Sequence, residues 1–557
     1  MNAIYYQLIC KITYDNNYED FKLCVLGDQN QSIFKFNKAD ERFIVYGDRL
    51  FDFEFDNFKK LNLSISFRVT NQIVDFLNNC LLGYERMKAQ KEGDTVRYII
   101  CNTYGTKKNP PRATFEEIEY YLNKGYEYED IFVLCPSLKS QRTGVRILSN
   151  WLTEKDIPVY VPVSDNENLD QDILNNKIVF STFHQVKGLE RKVVLIFNFD
   201  ESYTKFYNQS CDPNVCPNEI YVAVTRASEC LTVFHDNRQN YLPFCNVNIL
   251  EDYCDVIEYN PLKISKFKMQ NKMKLNVSTL TNHLPFEVVE HCTTFFKTKI
   301  VKEKKEKINI RGKVKNDEGN YETVQDITAV AIPAYFEYMK TGLLSIYDPK
   351  VEEETLLYDE NEEYAFSDID DESEEEIEES KELSIPRLLF LSNLYISKQT
   401  GYRFKMNQIE SYNWLRRDQL EKCTLRLDKL IGEDVEFNID FEIDEKEELQ
   451  NKKLSGVFDI IDGNKIWMLR CLDKIENVHL IQLALNAYVY HSLYPLEDPS
   501  FFIVNILTKE VISIYYDIDN LRKMVRYLII QKYNTEQALS DNKFIESIEK
   551  IKHIYYE

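Results

Sequence analysis

Apolar runs of strand length alternate with helical patterns through the first 240 residues, and this alternation restricts the fold more than any other feature of the sequence. The runs are apolar on both faces, which is typical of parallel strands buried in a sheet. Five such runs are Phe21–Leu26, Ile131–Cys135, Lys177–Ser181, Val193–Phe197 and Leu231–His235. The helical patterns include Thr70–Leu82, Phe115–Lys124 and Thr143–Lys155. Strands that alternate with helices predict an α/β fold around a parallel sheet.

The remainder of the 557 residues is too long to share that core and predicts at least one further domain. The alternation fades after residue 245, so we interpret residues 246–276 as a linker. A second globular region then covers residues 277–557. It contains a strand pair around Gly463, a helix over His479–His491 and a helical tail over Leu521–Ile554, which indicates a mixed α/β domain.

The formal net charge of −23 is concentrated in one segment. Residues 351–382 hold 17 Asp and Glu residues and one Lys, which predicts a disordered acidic insertion. The other residues carry only −7 and do not exclude a nucleic-acid partner. No apolar run reaches the roughly 18 residues of a membrane helix. No signal pattern opens the chain, and the 13 cysteines fit a reducing compartment. We therefore expect a soluble intracellular protein without a membrane partner.

Four polar segments follow or precede the predicted strands. They are Gly27–Phe34 (GDQNQSIF), Ser66–Arg68 (SFR), Thr182–Glu190 (TFHQVKGLE) and Asn218–Ala227 (NEIYVAVTRA). Loops at the carboxyl ends of parallel strands are where α/β sheets place ligands. Each segment alone is compatible with an ordinary turn or surface residue, so the argument depends on all four together.

In this order, the four segments resemble motifs III, IV, V and VI of the superfamily 1 DNA helicases of the UvrD/Rep type. The resemblance covers residues 1 to about 240. It implies a RecA-like fold of the P-loop NTPase type, in which residues 1–69 are a remnant of the first lobe and residues 70–245 form the second lobe. ATP would then bind in a cleft between the lobes.

The resemblance also implies a role for each matching residue. Two arginines and a glutamine would contact the γ-phosphate, because Arg meets phosphate oxygens with a planar, permanently charged fork. These catalytic residues are Gln31, Arg68 and Arg226. The residues implied at the nucleotide are Phe67, which would stack on adenine, Gly188 and Glu190. Those implied at the DNA strand are Phe34, Phe36, Thr182 and His184, the two Phe as base-stacking rings or, for either one, as core.

Two parts of the helicase pattern are missing from these residues. No G-x-x-x-x-G-K-[ST] occurs, since the Gly312–Lys313 pair is followed by Val and lacks the spaced glycine. The acidic DExQD motif is missing too, and residues 1–8 resemble the helix that follows it in the family. We interpret the chain as one product of a split or truncated gene, or as a decayed remnant. Alone it should have no ATPase activity, and ATP and Mg²⁺ would bind only if a separately encoded front half is supplied.

The second half contains a shorter resemblance, to RecB-type PD-(D/E)XK nucleases with a restriction-endonuclease-like fold. It rests on residues 454–488, LSGVFDIIDGNKIWMLRCLDKIENVHLIQLALNAY. Asp459 matches the first carboxylate, and Gln482 matches a helix residue. Met468 stands at the Glu position and Arg470 at the Lys position. Met is a poor ligand for Mg²⁺ and Arg cannot transfer protons as Lys does, so we expect the fold without nuclease activity. An unrelated hairpin and helix is the alternative.

Other candidate sites carry less information. Cys211 and Cys216 lack a second ligand pair, and Cys292 lacks the later cysteines of an iron–sulfur site. No metal site is therefore predicted. Residues 301–315 hold seven basic residues against two acidic ones, which suggests either a DNA contact or a solvated face.

The preferred hypothesis is the carboxyl-terminal part of an ATP-dependent UvrD/Rep-like DNA helicase in replication, recombination or repair. It would act on single-stranded or tailed duplex DNA, together with the separately encoded half. The alternatives are a non-catalytic DNA-binding or scaffold remnant and, third, an active nuclease. The Asn-, Ile- and Lys-rich composition and the decayed nuclease motif point to a giant virus of a protist. The protein would then work in the host cytoplasm or at a viral replication site.

Overall fold

The computed structural model divides the chain into two compact units. Unit 1 comprises residues 1–271, 282–288 and 530–557, and unit 2 comprises residues 272–281 and 289–529. The structure describes residues 1–16, 22–34, 38–53, 58–104, 111–139, 143–162, 170–209, 211–259, 275–348, 383–444, 446–450, 452–533 and 539–556. The acidic segment 351–382 lies outside these ranges.

Unit 1 is built on a seven-stranded sheet in which every pairing is parallel. Its strand order is β5–β6–β4–β7–β8–β3–β9, and a separate parallel pair joins β1 to β2. The strands are β1 (Ile65–Thr70), β2 (Lys88–Lys91), β3 (Val96–Cys101), β4 (Ile131–Cys135), β5 (Val159–Tyr160), β6 (Ile178–Thr182), β7 (Arg191–Ile196), β8 (Ala227–Asp236) and β9 (Cys254–Glu258). The central strands are buried on both faces, which confirms the α/β prediction for this half.

Helices precede β1 and connect the strands that follow it. They are α1 (Ala3–Asp15), α2 (Arg42–Val45), α3 (Gly47–Leu50), α4 (Asn71–Asp75), α5 (Arg112–Asn123), α6 (Gly144–Thr153), α7 (Gln171–Leu174), α8 (Asn218–Val224) and α9 (Leu250–Tyr253). Side-chain caps begin several of them: the Thr143 hydroxyl accepts the Arg146 N–H at the start of α6. Helix α4 continues as π-helical turns to Leu82 and ends at Gly83, whose φ of 74° suits glycine.

Two predicted elements of unit 1 are wrong. The run Phe21–Leu26 is not a strand over its described part, Lys22–Leu26, which makes no ladder with any described strand. The predicted linker also begins too early, because β9 lies within it and forms the edge of the sheet beside β3. The short β9 was missed because an edge strand does not need a long apolar run.

Unit 2 is built on a mixed seven-stranded sheet with the order β10–β15–β16–β17–β18–β11, in which β14 pairs with β15. A two-stranded ladder joins β12 to β13. The strands are β10 (Leu275–Asn276), β11 (Phe296–Lys302), β12 (Lys313–Lys315), β13 (Tyr321–Thr323), β14 (Glu436–Ile443), β15 (Leu454–Asp462), β16 (Lys465–Arg470), β17 (Ser500–Asn505) and β18 (Glu510–Tyr516). The predicted hairpin around Gly463 is β15–β16, with Gly463 at φ 54° in the turn.

The helices of the second half are α10 (Val277–Thr281), α11 (Phe286–Thr293), α12 (Gln325–Thr341), α13 (Ile385–Thr400), α14 (Phe404–Gln408), α15 (Arg417–Asp428), α16 (Asn477–Leu493), α17 (Ile518–Tyr533) and α18 (Asp541–Tyr556). One core of unit 2 joins α12, α13 and α15 to the sheet and contains Phe336, Trp414 and Trp467. No helix of the described residues is long and apolar enough to cross a membrane.

The last helix, α18, belongs to unit 1 and not to the domain predicted over residues 277–557. Its Phe544, Ile545 and Ile548 pack with α1 and the α2–α3 region in an aromatic cluster around the fully buried Tyr6. The Phe43 and Phe544 rings meet edge to face at 5.2 Å. Because this contact joins residues about 500 positions apart, no local sequence pattern predicts it.

Candidate functional site

The polar loop Gly27–Phe34 is organised by the carboxylate of Asp28. One oxygen accepts hydrogen bonds from Arg86 at 2.8 Å and from the Asn30 N–H at 3.0 Å. The other accepts from Tyr221 at 3.0 Å and from the Gln31 amide at 3.2 Å. Asp28 therefore joins this loop to helix α8 and to the segment before β2.

Two further contacts hold the loop against the segments that follow the sheet strands. The Asn218 amide donates to the carbonyls of Gln29 and Ser32 at 3.0 and 3.1 Å. The Lys187 ammonium donates to the Gln31 carbonyl at 2.7 Å. Lys187 lies in the turn that leads from β6 to β7, where Gly188 has a φ of 93° that suits glycine. Segments distant in sequence thus meet around the loop Gly27–Phe34.

Arg68, at the end of the predicted SFR motif, connects the remaining two segments. Its guanidinium forms an ion pair with Glu190 and donates to the Thr225 carbonyl at 3.3 Å. Both Arg68 and Glu190 remain partly exposed, at 34% and 53% of their side chains. The pair therefore lies at the wall of an open space and not in the core.

Arg226 lies behind this wall and is only 1% exposed. Its guanidinium donates to the carbonyls of Val222 and Leu189 at 3.0 and 3.1 Å. Burial and the nearby Arg68 lower its pKa to about 10, so it stays charged at neutral pH. Burial and Arg226 also lower the pKa of Lys187. These cations repel one another, and a bound anion would relieve that repulsion.

The open space is a cleft of about 500 Å³ within unit 1. Its lining combines cationic, amide and aromatic side chains, among them Gln31, Phe67, Arg68, Arg86, Glu190 and Tyr221. Phe67 is 81% exposed, which leaves its ring free for stacking. Of the residues predicted at the nucleotide and its γ-phosphate, Gln31, Phe67, Arg68 and Glu190 line this cleft. Gly188 lies in the adjacent turn and Arg226 lies behind the wall, so neither of them lines the cleft.

The residues predicted at the DNA strand form a second group. The Phe34 and His184 rings lie 6.5 Å apart, and the Lys187 ammonium lies 4.8 Å from the centre of the Phe34 ring. The Thr182 hydroxyl donates to the Gln185 side chain at 3.1 Å. Phe36 lies outside the described residues. The structure thus brings Phe34 and His184 together, close to the turn that holds Lys187.

Sequence reasoning missed Asp28, Arg86 and Tyr221 as members of this site. Asp28 and Tyr221 stand inside the quoted segments, but a carboxylate and a phenol at those places had no assigned role. Arg86 follows a helix in a stretch without apolar periodicity, so no pattern distinguished it from a surface arginine. Its contact with Asp28 joins residues 58 positions apart.

In unit 2 the structure brings three of the four predicted nuclease-motif residues together on β15, β16 and α16. Asp459 accepts from the Leu469 N–H at 2.7 Å and from Arg470 at 3.2 Å. Arg470 also reaches Gln482 at 3.5 Å. Met468 lies on β16 and is buried, at 3% exposure. Burial raises the pKa of Asp459 although Arg470 opposes the shift.

This arrangement places a guanidinium beside the single carboxylate. A Mg²⁺ ion needs several oxygen ligands, and Arg470 neutralises the one that Asp459 supplies. Among the residues that the structure describes, no group of three or more His, Cys, Asp or Glu side chains is placed to hold a metal ion.

Fold and site together define an α/β protein with a cation-lined cleft that includes Glu190 and Thr225, just before β7 and β8, at the amino ends of these parallel strands. No protein-family profile matches the chain. The chain is 26% identical over 267 residues to the "Putative ATP-dependent DNA helicase R568" of Acanthamoeba polyphaga mimivirus, covering 44% of this chain and 35% of that protein. It is 22% identical over 197 residues to the "Probable DNA helicase II homolog" of Mycoplasma capricolum, covering 35% of this chain and 23% of that protein.

The chain is therefore distantly similar to DNA helicases over part of its length, and it spans about a third or less of the length of these relatives. Among solved structures, the carboxyl-terminal domain of a possible DNA helicase from Lactobacillus plantarum is 15% identical, with a TM-score of 0.25. That alignment covers 35% of this chain and 99% of the other.

Proposed function

We propose that unit 1 is the carboxyl-terminal motor portion of an ATP-dependent DNA helicase of the UvrD/Rep type. Its parallel sheet would be the second RecA-like lobe, preceded by part of the first. In this proposal the cleft binds the nucleotide, with Arg68 on the γ-phosphate and Phe67 on the adenine. The distant similarity to two proteins named as DNA helicases supports the assignment.

One observation carries this proposal. Gln31, Phe67, Arg68 and Glu190 come from three separate segments of the chain, yet all line one cleft. Arg226 and Lys187 lie next to it with lowered pKa values, because burial and neighbouring cations disfavour their charge. A terminal phosphate would supply the missing negative charge. The residues present thus fit the γ-phosphate end of a nucleotide.

They do not include a phosphate-binding glycine loop or its Mg²⁺-binding hydroxyl, because no G-x-x-x-x-G-K-[ST] occurs in these residues. Hydrolysis would therefore need that loop from a polypeptide segment outside the 557 residues. The Ser or Thr of such a loop would hold Mg²⁺, which would supply positive charge to the phosphates. Without the loop, we expect nucleotide binding that is weak and no turnover.

The surface of unit 1 supports such an added segment. Leu23 and Val25 pack against the aromatic cluster, whereas Cys24 and Leu26 face outward, with Leu26 77% exposed. This alternation is that of a strand, but the backbone of Lys22–Leu26 pairs with no described strand. Helix α1 also carries a second apolar stripe, Ile4, Leu8 and Ile12, each 44–53% exposed. An added β-strand and the sheet behind it would cover both surfaces.

The experiment compares nucleotide affinity between two arginine variants of the full chain. We expect Arg68→Ala to weaken binding of a fluorescent ATP analogue at least tenfold, because a charge-assisted phosphate contact is worth about 1.5–3 kcal/mol. Arg112→Ala removes an exposed arginine on α5, away from the cleft, and should bind the analogue as the unaltered chain does. Equal affinity of Arg68→Ala and Arg112→Ala would refute the cleft as the nucleotide site.

A second measurement tests the dependence on an added segment. The purified chain should not hydrolyse ATP, with or without single-stranded DNA. Turnover by the chain alone that is lost in Arg226→Ala would contradict this part of the proposal. Hydrolysis that appears only after a polypeptide carrying G-x-x-x-x-G-K-[ST] and DExQD is added would separate a working helicase half from a non-catalytic DNA-binding scaffold.

We also propose that unit 2 has the fold of a RecB-type nuclease domain whose catalytic centre has decayed. The Asp459–Arg470 ion pair supports this assignment, since it occupies the place where the motif would otherwise hold a metal.

A further inference from the structure

The edge strand β11 of unit 2 carries three lysines on one face. It pairs antiparallel with β18, so residues that oppose each other share a face of the sheet. Lys297 opposes Tyr515 and Lys299 opposes Ser513. A bulge between Ile300 and Lys302 shifts the register, so that Lys302 opposes Val511 and stays on the same face as the other two lysines. Three ammonium groups therefore follow one another along this edge of the sheet.

Three more lysines join this face from neighbouring segments, and we call all six the lysine edge: Lys297, Lys299, Lys302, Lys305, Lys429 and Lys509. Lys305 follows β11 and its N–H donates to the Thr508 carbonyl at 2.8 Å. Lys509 stands in the β17–β18 turn with a φ of 63°. Partial desolvation and the repulsion of the neighbouring cations Lys305, Lys302, Lys429 and Arg426 lower the pKa of Lys509.

The segments that carry the lysine edge are tied together by Arg426 on α15. Its guanidinium donates to the carbonyls of Ile506 and Leu507, in the β17–β18 turn, and to that of Glu306 after β11. All three of these acceptors are backbone oxygens, and no carboxylate of the described residues forms an ion pair with this guanidinium. The positions of the lysine-bearing segments are therefore fixed by contacts that do not neutralise their charge.

Carboxylates near the lysine edge do not pair with it. Among the described residues, none of its six lysines has a carboxylate oxygen within 4.0 Å. Asp428 and Glu433 both bind Lys340, at 2.8 and 2.9 Å. Asp473 pairs with Lys307. Glu303, Glu306 and Glu510 stand next to the lysines in sequence and leave a net positive surface. A cluster of positive charges costs free energy because the charges repel one another, and a bound polyanion relieves this repulsion.

We propose that the lysine edge binds the phosphate backbone of single-stranded DNA. Tyr515, which opposes Lys297 on the same face, is 54% exposed and offers a ring on which a base can stack. A row of cations beside an exposed aromatic ring fits a single strand better than an acidic peptide, which has no bases to stack. Stacking and phosphate contacts read no sequence, so binding is independent of base order.

This site is distinct from the Asp459–Arg470 pair. Strand β15, which carries Asp459, is four strands away from β11 in the sheet order, or about 19 Å at the usual strand spacing. The inference extends the proposed function, because it assigns the DNA partner of the helicase portion a second contact on unit 2.

The experiment measures binding of a fluorescently labelled oligo(dT) 20-mer to the full chain by anisotropy, over a series of salt concentrations. The test variant is K297Q/K299Q/K302Q. The matched control is K398Q/K422Q/K453Q, which removes three exposed lysines of unit 2 that are paired with carboxylates. We expect the test variant to bind at least tenfold more weakly and to lower the salt-dependence slope by about 2, since each phosphate contact on a single strand contributes about 0.7. The control should change neither.

Tyr515→Ala tests base stacking separately from the charge contacts, because it removes a ring and changes no charge. It should weaken binding about fivefold and leave the salt slope unchanged, because stacking releases no counterions. Equal binding by the test and control variants would overturn the proposal. Binding of poly-glutamate with the same affinity, insensitive to Tyr515→Ala, would assign the surface to an acidic peptide and also overturn it.

Failure of this inference is separable from failure of the proposed function. The same variants should bind the ATP analogue as the unaltered chain does, because the nucleotide cleft is in unit 1. If Arg68→Ala no longer binds the ATP analogue and the lysine-edge variant binds DNA as the control does, only the inference fails. If the lysine-edge variant loses DNA binding and Arg68→Ala binds the ATP analogue with unchanged affinity, only the proposed function fails.

Discussion

The two units use their arginines in opposite ways. In unit 1, Arg68 and Arg226 stand with Lys187 and Arg86 around a cleft whose carboxylates are Asp28 and Glu190. In unit 2, Arg470 lies against Asp459 and reaches Gln482. The arrangement in unit 1 leaves positive charge that a ligand can bind, whereas in unit 2 the charge of Arg470 is balanced by Asp459. An arginine near a predicted site therefore indicates ligand binding only when the charge around it is incompletely balanced.

The sheets differ in a related way. In unit 1, residues from distant segments meet around the cleft, among them Arg68 on β1, Glu190 before β7 and Thr225 before β8. The mixed sheet of unit 2 holds its motif residues on one hairpin and the following helix. Three predictions test this contrast, in order of decreasing effect.

The largest expected effect concerns the aromatic cluster of unit 1. Phe43 is 1% exposed and packs on Tyr6 and Phe544. Phe43→Ala should lower the free energy of unfolding by about 3–5 kcal/mol, because it removes a large ring from a filled core. Hydrogen exchange followed by mass spectrometry should show faster exchange in α1 and α18 and unchanged protection in the β15–β16 hairpin.

Phe286→Ala is the control for that measurement, since the ring of Phe286 is 74% exposed and its loss should cost little. If Phe43→Ala instead accelerates exchange equally in both sheets, the units unfold as one, and the contrast between them does not extend to stability.

A smaller effect concerns the pH dependence of unit 2. Burial lowers the pKa of His479 and of His491 on α16, in the case of His479 with help from Arg470. The unfolded chain therefore binds more protons than the folded one near pH 6, and stability falls as the pH drops below about 6.5. The resistance of unit 2 to urea, measured by hydrogen exchange in α16, should decrease between pH 7.5 and pH 5.5.

The double variant H479Q/H491Q should flatten this dependence, because glutamine does not titrate in that range. A steep loss of protection that persists in the double variant would assign the acid sensitivity to other groups and remove the histidines from the comparison.

The smallest expected effect is none at all. The full chain should not cleave DNA with Mg²⁺ or Mn²⁺, because Asp459 pairs with Arg470 and Met468 supplies no oxygen. Asp459→Ala should leave this baseline unchanged in a gel assay of labelled plasmid. Metal-dependent cleavage that Asp459→Ala abolishes would show that unit 2 retains a catalytic centre and would restore the third hypothesis.

Much of unit 1 follows from local sequence. Ile131–Cys135 is a strand with the predicted bounds, and Thr182–Glu190 lies between two strands as expected. The strands β4, β6 and β7 are apolar on both faces, and burial on both faces fixes a central strand without help from distant residues. The contact of Arg68 with Glu190 does not follow from this rule, because Arg68 lies on β1, outside the seven-stranded sheet.

The remaining features depend on contacts between distant residues. Lys22–Leu26 has the pattern of a strand, but a strand also needs a paired neighbour, and none of the described strands supplies one. The Arg86–Asp28 contact and the place of α18 in unit 1 likewise join positions far apart. A local sequence pattern specifies which secondary structure a segment can form. Whether it forms that structure depends on the distant segment with which it pairs.

The packing of α18 on α1 has a consequence for the order in which the protein folds. Thr13 and Tyr556 are hydrogen-bonded across 543 positions, and Arg49 pairs with Glu549. The ribosome delivers the first of these residues many seconds before the last, at rates of about 5–20 residues per second. Throughout that interval the rings of Tyr6 and Phe43 lack their cover, so the nascent chain is exposed to premature association and to chaperones until its final helix emerges.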